Sequence, residues 1–262
     1  MIKEDRMGLA KLILKYAAPV PKIEEFSNYL FIGPHPDDIE IGAGATAAKL
    51  ASMGKKITFL ILTDGRYGDG FSDGVKGDDL AELRKKESVR AAECLGVTDV
   101  RFLGLCDGGF YPYEDMLKGI AKAIGECAPD LIFAPDPLTG RELHADHLNA
   151  GKAASQLAYI APYAGIMEHY GAAAADVKAI AYYMTAEANR FVKMPNEMFA
   201  LQNEAVFGCH KSQFPEGSDE ARQLALYLRL RSGDFGLRNL CSHAEGFRVL
   251  GKTHMHCMPE TV

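Results

Sequence analysis

The stretch that most constrains the chain is an apolar run at residues 29–32, a turn holding His35, Asp37 and Asp38, and then a Gly/Ala-rich segment over 41–51. The apolar run reads as a short buried strand, and the segment after the turn reads as a helix running from about Gly42 to Ser52. A histidine and two adjacent carboxylates therefore sit on a strand-to-helix turn. In an open α/β sheet such turns form the edge where ligands bind. His35 and Asp38, three residues apart, can converge on one point. Asp37 diverges from its neighbour Asp38, so one carboxylate can hold a metal while the other moves a proton. The competing role for Asp38 is to cap the helix that follows.

A second cluster matches the first. His144, Asp146 and His147 follow a strand-like run at 130–134 and a Pro/Gly-rich loop. A helix over 148–157 is expected next, with Asp146 as its N-cap. Two turns bearing His and Asp can then meet at one sheet edge. His35, Asp38 and His147 would supply three N/O ligands and leave a position open, the pattern of a catalytic zinc site. The same donors suit other divalent transition metals.

Further strands are expected at 56–63, 100–103 and 179–185, with helices at 80–95 and 116–127 between the earlier ones. This alternation predicts an α/β fold with a parallel, doubly wound sheet. The 64–79 loop is long and glycine-rich, as functional or mobile loops are. Beyond residue 158 the pattern weakens. Residues 161–175 read as loop, 197–210 and 219–230 as helices, and the tail from Gly251 as irregular. His254, His256 and Cys257 fall in that tail, which reads as frayed. His210 ends the helix at 197–210 and is the one further histidine of interest, with no role assigned. Leu9, Leu12, Ile13 and Tyr16 share one helical face, so a docking N-terminal helix is expected. One domain over 1–262 results, with a helical extension at 1–27 and a tail at 251–262.

Composition removes several function classes. The 262 residues carry a net charge of −6, which argues against a nucleic-acid footprint. No apolar run approaches the length needed to span a bilayer, and the N-terminus lacks a signal-peptide core. Six scattered cysteines without a CxxC pair suit reduced thiols in a cytoplasmic protein. Gly42, Gly44 and Ala47 loosely echo a dinucleotide fingerprint. That motif needs its first glycine directly after the strand, so close helix–sheet packing explains these glycines better.

The ordered pair of motifs, His35-Pro-Asp-Asp38 and His144-Ala-Asp-His147, resembles the LmbE/PIG-L family of zinc-dependent N-deacetylases. Leu62-Thr-Asp-Gly65, Arg84 with Glu87, Phe102 to Gly108, Cys209 to Gln213 and Ala244 to Phe247 resemble further marks of that family. Arg66 stands where many relatives carry Glu. The resemblance implies a Rossmann-like three-layer sandwich with a mostly parallel sheet. It implies a hydrolase that removes an N-acetyl group from an N-acetylglucosamine-type sugar or conjugate. It also implies assembly into a homo-oligomer, a trimer or hexamer. Alternatives are an amidase on a non-sugar amide, or a non-catalytic ligand-binding member.

For that reaction, zinc on His35, Asp38 and His147 would acidify water and polarise the acetyl carbonyl. Asp37 is the expected general base. His144 is expected at the oxyanion or the leaving amine, oriented by Asp146. Arg84 and Asp107 are the expected sugar contacts. For Arg84 the competing role is an i,i+3 pair with Glu87.

Overall fold

A computed structural model describes residues 13, 15–72 and 74–257. Seven strands form one sheet in the order β3-β2-β1-β4-β5-β7-β6. Strands β1 (Asn28–Gly33), β2 (Lys56–Thr63), β3 (Asp99–Leu105), β4 (Leu131–Pro135) and β5 (Ala179–Tyr183) run parallel. β7 (His243–Gly251) pairs antiparallel with β5 and with β6 (Arg190–Met194). The expected mostly parallel α/β sheet is present. Strands β6 and β7 were not expected from the sequence, and the tail read as irregular is preceded by a nine-residue strand.

The strands are apolar on both faces because helices cover both. Tyr29, Phe31, Phe59, Phe133 and Phe247 point to one side. There Phe31 and Phe133 stack with ring centroids 4.1 Å apart. Helices α1 (Asp38–Ser52), α2 (Gly77–Cys94) and α6 (Asn196–Asn203) close that layer. Leu30, Ile32, Leu60, Leu62 and Ile132 point to the other side, under α3 (Tyr113–Cys127) and α4 (Ala145–Ile160). A short α5 (Ala164–His169) lies within the stretch read as loop, and α7 (Asp219–Arg238) extends well past 230. α7 is capped by the Ser218 hydroxyl, which accepts from Ala221 N–H.

The N-terminal docking face is not borne out where it can be seen. Ile13 and Tyr16 are exposed, and Leu9 and Leu12 lie outside the described residues. The C-terminal turn is less frayed than expected. His254 is buried, its Nδ1 accepting from Gly251 N–H and its Nε2 lying 3.0 Å from the Ala18 carbonyl.

Helix α1 begins at Asp38, earlier than the glycines suggested, and breaks at Ala43, whose φ of −152° is not helical. The break strands carbonyls on one side and N–H groups on the other. Two distant side chains satisfy them. The Gln202 side-chain amide donates to the carbonyls of Glu40 (2.9 Å) and Ile41 (3.3 Å). The buried Glu245 carboxylate accepts from Ala45 N–H (3.4 Å) and Thr46 N–H (2.8 Å), and Gln202 donates to it at 2.8 Å. Gly42 sits against the Tyr183 ring. A Cβ there would come within 2.2 Å of it, so the glycine does serve close helix–sheet packing.

Burial pushes the Glu245 carboxyl up to about 7, against hydrogen bonds that favour its charge. The folded value thus lies above the ordinary 4.5, and between the two the native state holds a proton the unfolded chain has released. The stability this group confers is full below about 4.5 and declines as pH rises through about 7. Urea midpoints taken across that window should fall more steeply for wild type than for Glu245→Gln. Glu245→Ala should cost about 1–3 kcal/mol by orphaning the buried donors.

Candidate metal centre and catalytic site

β1 and β4 are neighbours, and β2 lies on the far side of β1, so the chain reverses its direction across the sheet between β1 and β4. The turn after β1 and the start of α4 meet there, at the switch point of the fold. His35 Nδ1 lies 3.1 Å from Asp38 Oδ2, and His147 Nε2 lies 3.3 Å from the same oxygen. One ligand atom from each residue falls within a common span of 4.8 Å. The structure brings these three donors together.

A carboxylate stands behind each ring. His35 Nε2 is 3.1 Å from Asp146 Oδ2 and 3.2 Å from Asp107 Oδ1, and His147 Nδ1 is 3.1 Å from Glu142 Oε2. The hydrogen bond between His35 and Asp146 is of the kind that fixes the tautomer and raises the basicity of a ligating imidazole, whereas His147 Nδ1 has no hydrogen-bond partner and Glu142 acts on it only as a nearby charge. A second group, His35, Asp107, His144 and Asp146, also has its donor atoms close together. Its carboxylates are already engaged, however. Asp146 accepts from Gly108 N–H (2.8 Å) and Tyr111 O–H (2.7 Å), and Asp107 accepts from Tyr67 N–H (3.2 Å). Asp38 is likewise engaged, accepting from the His35 main-chain N–H at 2.8 Å, so both clusters offer donors to an ion, and behind the first of them Asp107 and Asp146 brace His35. Burial disfavours charge on Asp38, but His147 and His35 outweigh it and hold the carboxyl well below the usual range.

Asp37 is not among the clustered donor atoms and pairs with Arg84 instead. Its φ of 133° is a strained value for a residue with a Cβ. The Arg84 guanidinium holds its Oδ2 at 3.1 Å and also donates to the Pro36 carbonyl (2.9 Å) and the Gly65 carbonyl (3.0 Å). Burial pushes the Asp37 carboxyl up to about 6, although Arg84 draws it down. A carboxylate so poised is suited to take a proton near neutral pH.

The alternative pairing of Arg84 with Glu87 does not form. Glu87 instead accepts from the Ser212 amide (3.0 Å) and hydroxyl (2.6 Å). Arg84 is buried, with Nε lacking a hydrogen-bond partner. Arg66, the departure from the family pattern, is ion-paired to Asp64 (2.6 Å) and Asp78 (3.0 Å).

The α4 N-cap is His144 rather than Asp146. His144 Nδ1 accepts from Asp146 N–H at 3.3 Å, so the neutral ring carries its proton on Nε2. Asp146 was expected to orient His144 through its carboxylate. That carboxylate lies 3.8 Å from His144 Nδ1 and bonds His35 instead, so only the Asp146 main chain orients His144. Burial lowers the His144 pKa, and facing His35 and His147 lowers it further. Its side chain is 47% exposed, which marks the open side of the centre.

Sequence reasoning missed Tyr111 and Glu142. Nothing in their spacing marks them, because each acts through a contact that only the folded loops create. His210 was singled out without a role. It is fully buried, 3.4 Å from Glu40, and near enough for its charge to lower the Asp37 pKa.

Fold and site together define an α/β domain with a candidate mononuclear metal centre at its switch point. Residues 30–158, which carry both clusters, match the family described as GlcNAc-PI de-N-acetylase (PIG-L). The chain is 32% identical over 260 residues to diacetylchitobiose deacetylase of Thermococcus kodakarensis, covering 96% of this chain and 92% of that protein. It superposes on the structure of N,N'-diacetylchitobiose deacetylase from Pyrococcus horikoshii with a TM-score of 0.85 at 28% identity, over 99% of this chain and 98% of the other. It is also 36% identical over 126 residues to the 1D-myo-inositol 2-acetamido-2-deoxy-alpha-D-glucopyranoside deacetylase of Kineococcus radiotolerans, covering 46% of this chain and 35% of that protein. The chain belongs to the PIG-L family of deacetylases.

Elemental mass spectrometry of the untagged protein should find about one divalent transition metal per chain, and little in Asp38→Ala. Asp146→Asn, which weakens the brace behind His35, should lower metal affinity about 10–100-fold while leaving the fold intact by circular dichroism.

Proposed function

We propose that the chain is a metal-dependent hydrolase that removes the N-acetyl group from an N-acetylglucosamine-type sugar or sugar conjugate. The observation that carries this reading is the split of two adjacent carboxylates. Asp38 joins His35 and His147, whereas Asp37 is held aside by Arg84 with its pKa near 6. Family membership supports the same chemistry, since relatives spanning most of the chain are named for deacetylating N-acetylated sugars.

His35, Asp38 and His147 would hold a divalent ion, zinc or a similar transition metal, which would supply Lewis acidity toward water and the acetyl carbonyl. Asp37 takes the proton of the attacking water as its oxygen bonds to the acetyl carbon. His144, neutral and protonated on Nε2, donates to the acetyl oxygen as negative charge develops there. The C–N bond then breaks, and the proton held by Asp37 passes to the leaving nitrogen. Acetate and a free amine result. Arg84 keeps the Asp37 carboxylate aimed and Asp107 braces His35; both are buried and engaged in these contacts, so neither presents a free edge for the sugar contact expected from the sequence.

The remaining traits follow the same reading. The chain acts as one domain on a small-molecule substrate and assembles as a homo-oligomer, as the family resemblance implies. Its six cysteines are all unpaired, which suits the reducing cytoplasm. Among the described residues no helix is long and apolar enough to cross a membrane.

Amine release from N-acetylglucosamine and N,N'-diacetylchitobiose tests the proposal. Wild type should turn over at least one of them. Asp37→Asn should lose about 10²–10⁴-fold in kcat while keeping its metal. A fully active Asp37→Asn enzyme would remove Asp37 from the reaction.

A further inference from the structure

Helix α7 is bound to the fold along one side. Its buried residues are Leu228, Ser232 and Gly236, four apart, and Leu228 and Ser232 border the same small cavity as Gly42 and Glu245. The opposite side is open. It carries Leu226, Leu230, Leu237 and, just past the helix end, Leu240, which are 57%, 63%, 78% and 92% exposed. With Gly233 these residues follow one another at alternating spacings of four and three. That rhythm lays one stripe along a helix, and it is the repeat by which two helices pack side by side.

Two residues of the stripe are unfavourable for this chain alone. Gly233 lies inside the helix, where glycine is worse than alanine, yet a Cβ there would meet nothing. Leu240 has a φ of 57°, next to the bond from Cys241 N–H to the Gly236 carbonyl (3.0 Å) that closes the helix. Glycine is the usual residue at that left-handed position. An opposing helix gives both a purpose. Gly233 lets two backbones approach, and Leu240 covers the end of the contact. The open stripe amounts to roughly 600 Å² with Tyr227 beside it, against the about 800 Å² that each partner gives to a standard interface.

The charges beside the stripe suit a second copy of the same helix. Arg222 and Arg229 follow one flank, and Glu220 and Asp234 follow the other. A two-fold axis parallel to the helix sets each basic flank against the acidic flank of its mate. An axis perpendicular to the helix would set like against like. Arg229 is exposed and, among the described residues, in no ion pair. Asp234 is 49% exposed and meets only Arg238 of its own helix, at 2.7 Å. In a parallel pair, Arg229 falls beside the partner's Asp234, five residues further along.

We infer that the outer face of α7 is the seam of a two-fold dimer, packed in parallel against α7 of a second copy of this chain. This rests on the homo-oligomer reading above and not on the reaction. The stripe turns away from the side of α7 that holds the broken helix α1, so pairing leaves the latch of Gln202 and Glu245 in place.

Sedimentation velocity across a concentration series tests the seam on the full chain, with circular dichroism to confirm that each variant is folded. Wild type should self-associate. Leu230→Glu and Leu237→Glu should each weaken association at least about 30-fold, the loss expected for a central anchor. Arg229→Asp should weaken it about 2- to 5-fold. Adding Asp234→Arg to Arg229→Asp should restore it, which a purely structural role for either side chain would not do. A wild type that stays monomeric overturns the seam and the homo-oligomer reading together. An assembly untouched by both leucine variants uses another surface and overturns the seam alone. Leucine variants that dissociate without rescue by the charge exchange overturn the parallel arrangement.

Discussion

Four buried carboxylates, Asp37, Asp38, Asp107 and Asp146, crowd the ends of β1, β3 and β4. Burying so much like charge is unfavourable unless each group is paired and hydrogen-bonded. Most of the local structure answers that constraint. Arg84 crosses from α2 to reach Asp37. The amides of Tyr67 and Gly108 and the Tyr111 hydroxyl turn inward to Asp107 and Asp146. His35 stands between Asp38 on one ring nitrogen and the Asp107–Asp146 pair on the other. A divalent cation held as proposed by His35, Asp38 and His147 would add to the compensation.

The broken helix α1 serves the same end. A straight helix from Asp38 would set the direction of the metal-ligating turn by the packing of its whole length. With the break at Ala43, the first turn is oriented by Gln202 and Glu245, which come from α6 and β7. The half of the chain outside the family match thereby controls the angle at which Asp38 enters the site. Tyr183 adds a third constraint. Its hydroxyl donates to the Ile32 carbonyl while its ring lies against Gly42.

Much of this was legible in the sequence, for physical reasons. Strands β1, β2 and β4 are buried on both faces and read as unbroken apolar runs. The His/Asp clusters sit on turns whose place is fixed by short-range grammar. Where the reading failed, the cause was contact over long sequence separation. β7 contains Glu245, Gly246 and Arg248, which look unlike a buried strand until Gln202 and Asp136 are seen to satisfy the charges. β6 is a short edge strand of mixed burial. Asp146 lies beside the expected metal ligands, with a different partner from the one expected. Nearness in sequence suggested His144, whereas the fold brings His35 from 111 residues away.

His35 lies between the metal triad and the carboxylates that anchor the loops after β2 and β3. That position makes ion binding and loop order two ends of one thermodynamic cycle. If filling the triad firms the grip of Asp107 and Asp146 on those loops, then anything that immobilises the loops must tighten ion affinity by the same factor. Sugar arriving at the rim would then help retain the metal, and loss of metal would loosen the rim.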